Sequence, residues 1–308
     1  MRDDAPVVLL DTDSATPQPE SDSRRRRRGM SANTATVLWI LLVVGVLALW
    51  VVAYARLLSG VEMEADQRGL YNTFREELAL ATAPVGGTIE PGAPVAVIDA
   101  PEAGIDSLVV VEGTSSEFMR SGPGHRRNSP LPGQAGSSVI YGRAVTFGGP
   151  FGSISQLQAG DSVAVTTGLG EFTYEVEGVR RPGDPLPVPL EEGESRLILV
   201  SSEGAGYLDG WAAQTPVYVD AVLEGDVVDT PTGRLTQVSP AEEAMATSTA
   251  SLMALVLWLQ LLLVVVVAWV WASRRWTVWQ TWLVAVPVFM ATLWGATSAA
   301  FGLLPNLL

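Results

Sequence analysis

A mostly β ectodomain folded as a closed β-barrel, flanked by one transmembrane α-helix on its N-terminal side and two on its C-terminal side, is the architecture the sequence predicts. Three observations lead there. The 308-residue chain is 48% hydrophobic and 17% charged, with a mean hydropathy of +0.27 and ten tryptophans, too apolar for an ordinary soluble protein. Uncharged stretches stand towards both of its ends. Between them the pattern changes to short β-rich runs punctuated by glycine and proline.

The first uncharged stretch, Thr36 to Ala55, is long enough at about 1.5 Å per residue to cross a hydrocarbon core of roughly 30 Å, and transmembrane helix 1 is assigned to residues 36–56. Arg24 to Arg28 stand before it and an acidic segment follows, so the arginine run reads as a topology anchor with the N-terminus in the cytoplasm. Ala53-Tyr54-Ala55 has the small-residue form of a signal-peptidase site. A signal peptide's apolar region spans only about 7–15 residues, so an uncleaved anchor is the better reading. Residues 251–272 and 277–304 form the second and third spans, separated by Ser273-Arg274-Arg275-Trp276. That pattern predicts a helical hairpin whose turn arginines are cytoplasmic. Both charge signals place residues 57–250 outside the cytoplasm and describe a multi-pass plasma-membrane protein. Trp271, Trp276, Trp279 and Trp282 cluster at the turn as interfacial anchors. Gln260, Gln280 and Pro287 interrupt the spans, and they read as helix packing because no ionisable residue lies inside any span.

Residues 1–35, rich in Ser, Asp, Pro and Arg, read as a disordered cytoplasmic tail. Residues 57–84 form a juxtamembrane stalk, with Leu70, Phe74 and Leu78 on one helical face. Residues 85–228 make the barrel, and residues 229–250, without apolar periodicity, make a linker. Strands are predicted at Pro94–Ile98, Leu108–Val111, Ser138–Tyr141, Ser162–Thr166, Phe172–Val179, Leu197–Ser201 and Pro216–Leu223, with Gly168 and Gly170 in the turn of a hairpin over Val163–Val176.

From Leu57 to Thr249 the chain carries 27 Asp and Glu against 10 Arg. Such an acidic segment argues against nucleic acid or an anionic lipid surface as its partner. All 19 basic residues are arginine, the single histidine is His125, and there is no cysteine. That inventory predicts no cofactor, no metal site and no thiol redox centre. The sequence carries no internal repeat and no signal for oligomeric state.

Within the barrel segment the residues from Gly122-Pro-Gly-His-Arg-Arg-Asn-Ser-Pro-Leu-Pro-Gly-Gln-Ala-Gly-Ser-Ser-Val-Ile-Tyr-Gly-Arg-Ala-Val-Thr-Phe-Gly-Gly-Pro to Phe151 resemble the sortase family. They are similar to its stretch from "G-P-G-H" through "LPGQxGN" to "GHRxTYGxPF". Phe151 to Asp161, ending Leu-Gln-Ala-Gly-Asp, and Arg196-Leu-Ile-Leu-Val-Ser-Ser202 resemble the next family stretches, the last ending "LTLxTC". The layout is most similar to actinobacterial, class E-like sortases.

The resemblance implies a thiolate nucleophile, a histidine that handles the proton and an arginine that stabilises substrate or oxyanion. Matched residue by residue, the family cysteine falls on Ser202 and the family histidine on Arg143. The family arginine falls near Thr215 or Pro216, and no arginine stands between Arg196 and Arg234. A serine needs a base to take its proton, and a guanidinium with a pKa above about 12 cannot be that base. His125 reads as structural. Glu203 neighbours Ser202, but adjacent strand residues face opposite ways. No catalytic residue is therefore expected.

Arg143, Ser202 and Glu203 are the candidate ligand-binding residues. Arg143 either projects into the peptide groove, where with Ser202 it holds a carboxylate or an extended peptide, or is tied to an acid such as Glu203 or Asp209. The expected function is a membrane-anchored, sortase-like binding or assembly subunit at the cell surface. Its partners would be a sorting-signal-like peptide, a surface protein or an active sortase. The alternatives are a transpeptidase or hydrolase using Ser202, and a structural membrane component whose helices carry the function.

Overall fold

The computed structural model describes residues 32–203, 215–247, 249 and 251–308. The tail expected over residues 1–35 lies outside them up to residue 31, and so does Asp209. Two compact units are present, one ending at Val46 and one running from Leu47 to Leu308. All contacts given below lie within the second.

Eight strands form: β1 (Pro94–Ala100), β2 (Ile105–Glu112), β3 (Gly124–His125), β4 (Gly136–Tyr141), β5 (Ser162–Thr167), β6 (Gly170–Arg180), β7 (Ser195–Glu203) and β8 (Thr215–Glu224). They close into a barrel in the order β1-β2-β3-β4-β7-β8-β6-β5, with β1 pairing back onto β5. Closure leaves no sheet edge unpaired. The two-residue period of each strand sorts its side chains: Ile140, Leu197, Leu199, Val219 and Ala221 enter the interior cluster with Val95, Ile98, Val163 and Tyr174. Val139, Tyr141, Ile198, Val200 and Tyr218 fall on the opposite face.

Seven of these strands match the predicted runs with longer ends. The eighth, β3, has no β pattern and exists through long-range pairing, parallel to β2 and antiparallel to β4. A Cβ at Gly124 would stand 2.2 Å from the Gly113 carbonyl oxygen, so the approach of β3 to the preceding loop requires glycine there. The predicted hairpin turn is also shorter, because Gly170 already pairs with Thr167 as the first residue of β6.

The register of β3 sets His125 beside Glu112. His125 Nδ1 lies 2.7 Å from Glu112 Oε2 and Nε2 lies 2.9 Å from the Pro130 carbonyl. Both residues are buried. An oxygen faces each ring nitrogen, so the imidazole ties the buried Glu112 carboxylate to the turn that carries Pro130.

The helices are α1 (Ala32–Ala53), α2 (Ser59–Ala79), α3 (Ser251–Ser273) and α4 (Val278–Phe301), with a π-helical turn over Tyr54–Leu58 joining α1 to α2. Three helical segments are long and apolar enough to cross a membrane: Thr36–Ala79, Ser251–Ser273 and Trp279–Phe301. On α2, Phe74 is fully buried with Val97 and Val109, flanked by Leu70 and Leu78. The Gln67 amide completes β2, accepting from Val109 N at 2.8 Å and donating to Val109 O at 2.9 Å. Glu62 accepts hydrogen bonds from Tyr54, from Trp294 Nε1 and from Ser298 on α4.

Two boundaries differ from the sequence reading. The third apolar segment stops being helical at Phe301 rather than residue 304, ahead of Pro305, whose ring disfavours helical conformation in the residue before it. The segment read as a linker over 229–250 is docked: Glu242 is buried, and its carbonyl accepts from Thr114 Oγ1 at 2.6 Å. Its anchors are main-chain polar bonds, which leave no apolar periodicity to read.

Replacing His125 by Ala strands the Glu112 carboxylate inside the barrel. A loss of about 3–5 kcal/mol in unfolding free energy is expected, measured by chemical denaturation of the barrel. A change within about 0.5 kcal/mol, the range of a surface substitution, would refute the role of His125 as the partner of the buried carboxylate.

Candidate functional site

Parallel pairing of β4 with β7, from Gly136 opposite Ser195 to Tyr141 opposite Val200, delivers both strand ends to one end of the barrel. Gly142 N extends the pairing by donating to Val200 O at 2.9 Å. Arg143 and Ser202 each follow two residues after the last position paired between β4 and β7, Arg143 in the loop beyond β4 and Ser202 still on β7. On β8, Pro216 stands opposite Ser202 and Thr215 opposite Glu203. The fold thus converges the positions that the family resemblance picked out. Gly142 admits the chain here, since a Cβ would meet the Phe151 ring at 2.2 Å.

Arg143 corrects the sequence expectation. Its side chain does not project into the groove; it turns inward and is fully buried. Nε donates to Met119 O at 3.2 Å, Nη1 to Thr146 Oγ1 at 3.1 Å, and Nη2 to Ser116 O at 3.2 Å and Ser116 Oγ at 2.6 Å. The guanidinium carbon lies 5.0 Å from the Phe147 ring centroid. Burial first, and the neighbouring Arg120 charge second, push its pKa down to about 9. Among the described residues no carboxylate pairs with it.

Glu203 is committed elsewhere as well. It forms a two-point ion pair with Arg181, Nε to Oε1 at 2.5 Å and Nη2 to Oε2 at 3.0 Å. It is neither the acid for Arg143 nor a base for Ser202, because strand alternation turns it away from its neighbour.

Ser202 is buried, and its hydroxyl donates to the Leu307 carbonyl at 2.7 Å. Among the described residues no imidazole or carboxylate hydrogen-bonds to this hydroxyl. The chain's one histidine sits in a superficially triad-like line, with Ser129 Oγ 3.1 Å from His125 Nε2 and Glu112 on the other nitrogen. That line holds no free nucleophile: Ser129 Oγ donates its proton to Arg126 O at 2.8 Å and is buried.

Sequence reasoning missed the other half of the site. The Leu307 carbonyl also accepts from Ala144 N at 3.0 Å, and the Leu308 oxygen accepts from Val145 N at 3.3 Å and Thr146 N at 2.9 Å. Leu307 is fully buried against Met119, Tyr141 and Val200, beside Ala244 and Met245. Pro305 and Asn306 set this segment off from the apolar span, but nothing in its composition says where it docks.

Residues 98–203, which include both Arg143 and Ser202, match the family model described as the sortase domain. The matched residues are a sortase domain. The chain is 27% identical over 152 residues to Sortase D of Bacillus subtilis (strain 168), spanning 49% of this chain and 68% of that protein. Among solved structures, a Clostridium perfringens Sortase D5 transpeptidase is similar with a TM-score of 0.42 at 22% identity, covering 52% of this chain and 99% of that one. Sortase E from Streptomyces avermitilis is similar with a TM-score of 0.37 at 29% identity, covering 44% and 91%.

In this sortase domain Arg143 holds the 115–120 loop against the 143–147 loop. Arg143→Ala leaves the Ser116 and Met119 carbonyls unmatched while relieving a buried charge, and a net loss of about 2–4 kcal/mol is expected. Denaturant unfolding followed by tryptophan fluorescence checks it, and an unchanged midpoint would show that the guanidinium does not hold the loops.

Proposed function

We propose that this chain is a membrane-anchored, class E-like sortase-family protein that binds or assembles partners at the cell surface without transpeptidase chemistry. The hydroxyl of Ser202 carries the reading. It gives its only proton to a main-chain carbonyl, and the residue in the family's histidine position is a guanidinium turned away from it. Even pushed down to about 9, that guanidinium stays protonated near neutrality and has no lone pair with which to take a proton. Proline and threonine across β8 supply no cation in place of the family arginine.

What remains is a set of donors suited to peptide carbonyls, namely the Ser202 hydroxyl and the amides of Ala144, Val145 and Thr146. Arg143 acts as a positioning residue behind them. The partner is a sorting-signal-like peptide, a surface protein or an active sortase. Arg24 to Arg28 and the Arg274-Arg275 turn support a multi-pass orientation in the plasma membrane with the N-terminus cytoplasmic and residues 57–250 outside.

Incubating the full chain in lipid nanodiscs with a sorting-signal peptide and an amine acceptor tests the reading. No product is expected by mass spectrometry. Turnover that disappears in Ser202→Ala would overturn it. Ser202→Cys should still give no transpeptidation, because the missing base is not restored with the sulfur.

A further inference from the structure

Tyr141, Val200 and Tyr218, on the outer face of the barrel, are covered by the chain itself, packing in one cluster with Leu307, Ala244 and Met245. Leu307 belongs to no helix or strand, yet it is fully buried. The segment that carries it leaves α4 with the Gly302 carbonyl held by Ser116 Oγ at 2.8 Å. Leu308 N then bonds to Pro305 O at 3.1 Å, closing a tight turn. Asn306 ties the turn to the docked segment, Nδ2 donating to Ala241 O at 2.8 Å and Glu243 O at 2.9 Å.

Two features mark Leu307 and Leu308 as occupants of this face and not parts of the barrel wall. The barrel closes without them, and they add no strand to it. At the site they are held through main-chain carbonyl oxygens, by donors that any peptide backbone could satisfy. The side-chain element is one aliphatic group against Met119, Tyr141 and Val200.

We propose that the outer face beside Ser202 is a groove that binds an aliphatic peptide read through the main-chain oxygens of two consecutive residues, and that Leu307–Leu308 fills it in cis, so that an external peptide enters only by displacing this segment. The proposal rests on the non-catalytic reading in one respect, that Ser202 serves as a hydrogen-bond donor. A tethered occupant acts at an effective concentration on the order of millimolar, so an external peptide of equal intrinsic affinity is largely excluded while the segment is seated. The segment follows directly on α4. Its release therefore requires the end of the membrane hairpin to loosen its hold on Ser116 and on the 240–246 segment.

The cysteine-free sequence makes the test direct. Ser202→Cys in the full chain, reconstituted in nanodiscs, carries the protein's single thiol, and its alkylation rate reports access to the groove. Deleting residues 305–308, or replacing Leu307 by Asp or more mildly by Ala, should accelerate alkylation at least ~10-fold, and the synthetic peptide Gly-Leu-Leu-Pro-Asn-Leu-Leu should then protect the thiol. The same peptide should give little protection when the cis segment is intact. Equal alkylation rates with the segment intact and altered would overturn the proposal, as would failure of the peptide to protect any unplugged variant. The Leu307→Ala variant supplies the reading if the harsher changes unfold the protein. Mass analysis of the peptide after incubation with unplugged chain retaining Ser202 separates the two claims. Cleavage there would sink the non-catalytic reading and leave the cis occupancy standing.

Discussion

A guanidinium withdrawn completely from water must be met by acceptors along its whole edge, and the site end of the barrel is organised around that demand at Arg143. The desolvation cost of a buried ion is several kcal/mol, and hydrogen bonds to a charged group return about 1.5–3 kcal/mol each. Met119 O, Ser116 O, Ser116 Oγ and Thr146 Oγ1 supply those bonds from two loops that otherwise share no secondary structure. With the side chain drawn inward, the backbone after it turns its amides outward. Ala144, Val145 and Thr146 then face the Leu307 and Leu308 oxygens. The loop also reaches the stalk, since Phe147 N donates to Ser59 Oγ at 3.0 Å. One buried charge thus fixes the loop on which the barrel, α2 and the residues after α4 all meet.

The barrel was legible in the sequence where strand alternation is strong. Leu197, Leu199, Val219 and Ala221 repeat at the two-residue period that separates interior from exterior. Gly124-His125 was invisible because two residues carry no period; their pairing comes from the neighbours on either side. The end of α4 and the docking of residues 240–246 were hidden for related reasons. Leu307 and Leu308 follow the span after only Pro305 and Asn306, and the 240–246 segment is held by main-chain bonds and by ion pairs of Glu242 and Glu243, with only Ala244 and Met245 packed apolar, too little to form a readable period.

The candidate site was legible in position and not in direction. Parallel pairing of two recognisable strands is enough to bring Arg143 and Ser202 to the same end of the barrel. Whether an arginine side chain leaves a loop outward or inward depends on acceptors far along the chain. Those acceptors, Ser116 and Met119, lie more than twenty residues earlier. Glu203 went astray more simply: Arg181, 22 residues before it, offered a two-point ion pair on the side of the strand that Glu203 faces.

The loop that serves Arg143 also faces the α3–α4 hairpin, and this links the hairpin physically to the Ser202 end of the barrel. Arg120 follows Met119 directly and donates to Ser298 on α4 at 2.5 Å, with Glu62 of α2 at 3.7 Å. Arg120 is at the same time the like charge that adds to the burial cost of Arg143. Its presence is tolerable because Glu62, itself held by Trp294 and Ser298, sits close enough to offset it. Displacing α4 would remove two of the donors that orient Glu62 and the hydroxyl that caps Arg120. The Arg120 charge would then bear on Arg143 with less compensation, in the loop whose amides hold Leu307 and Leu308. α4 and the Ser202 end of the barrel are therefore joined by two routes: covalently through residues 302–308, and electrostatically through Glu62, Arg120 and Arg143.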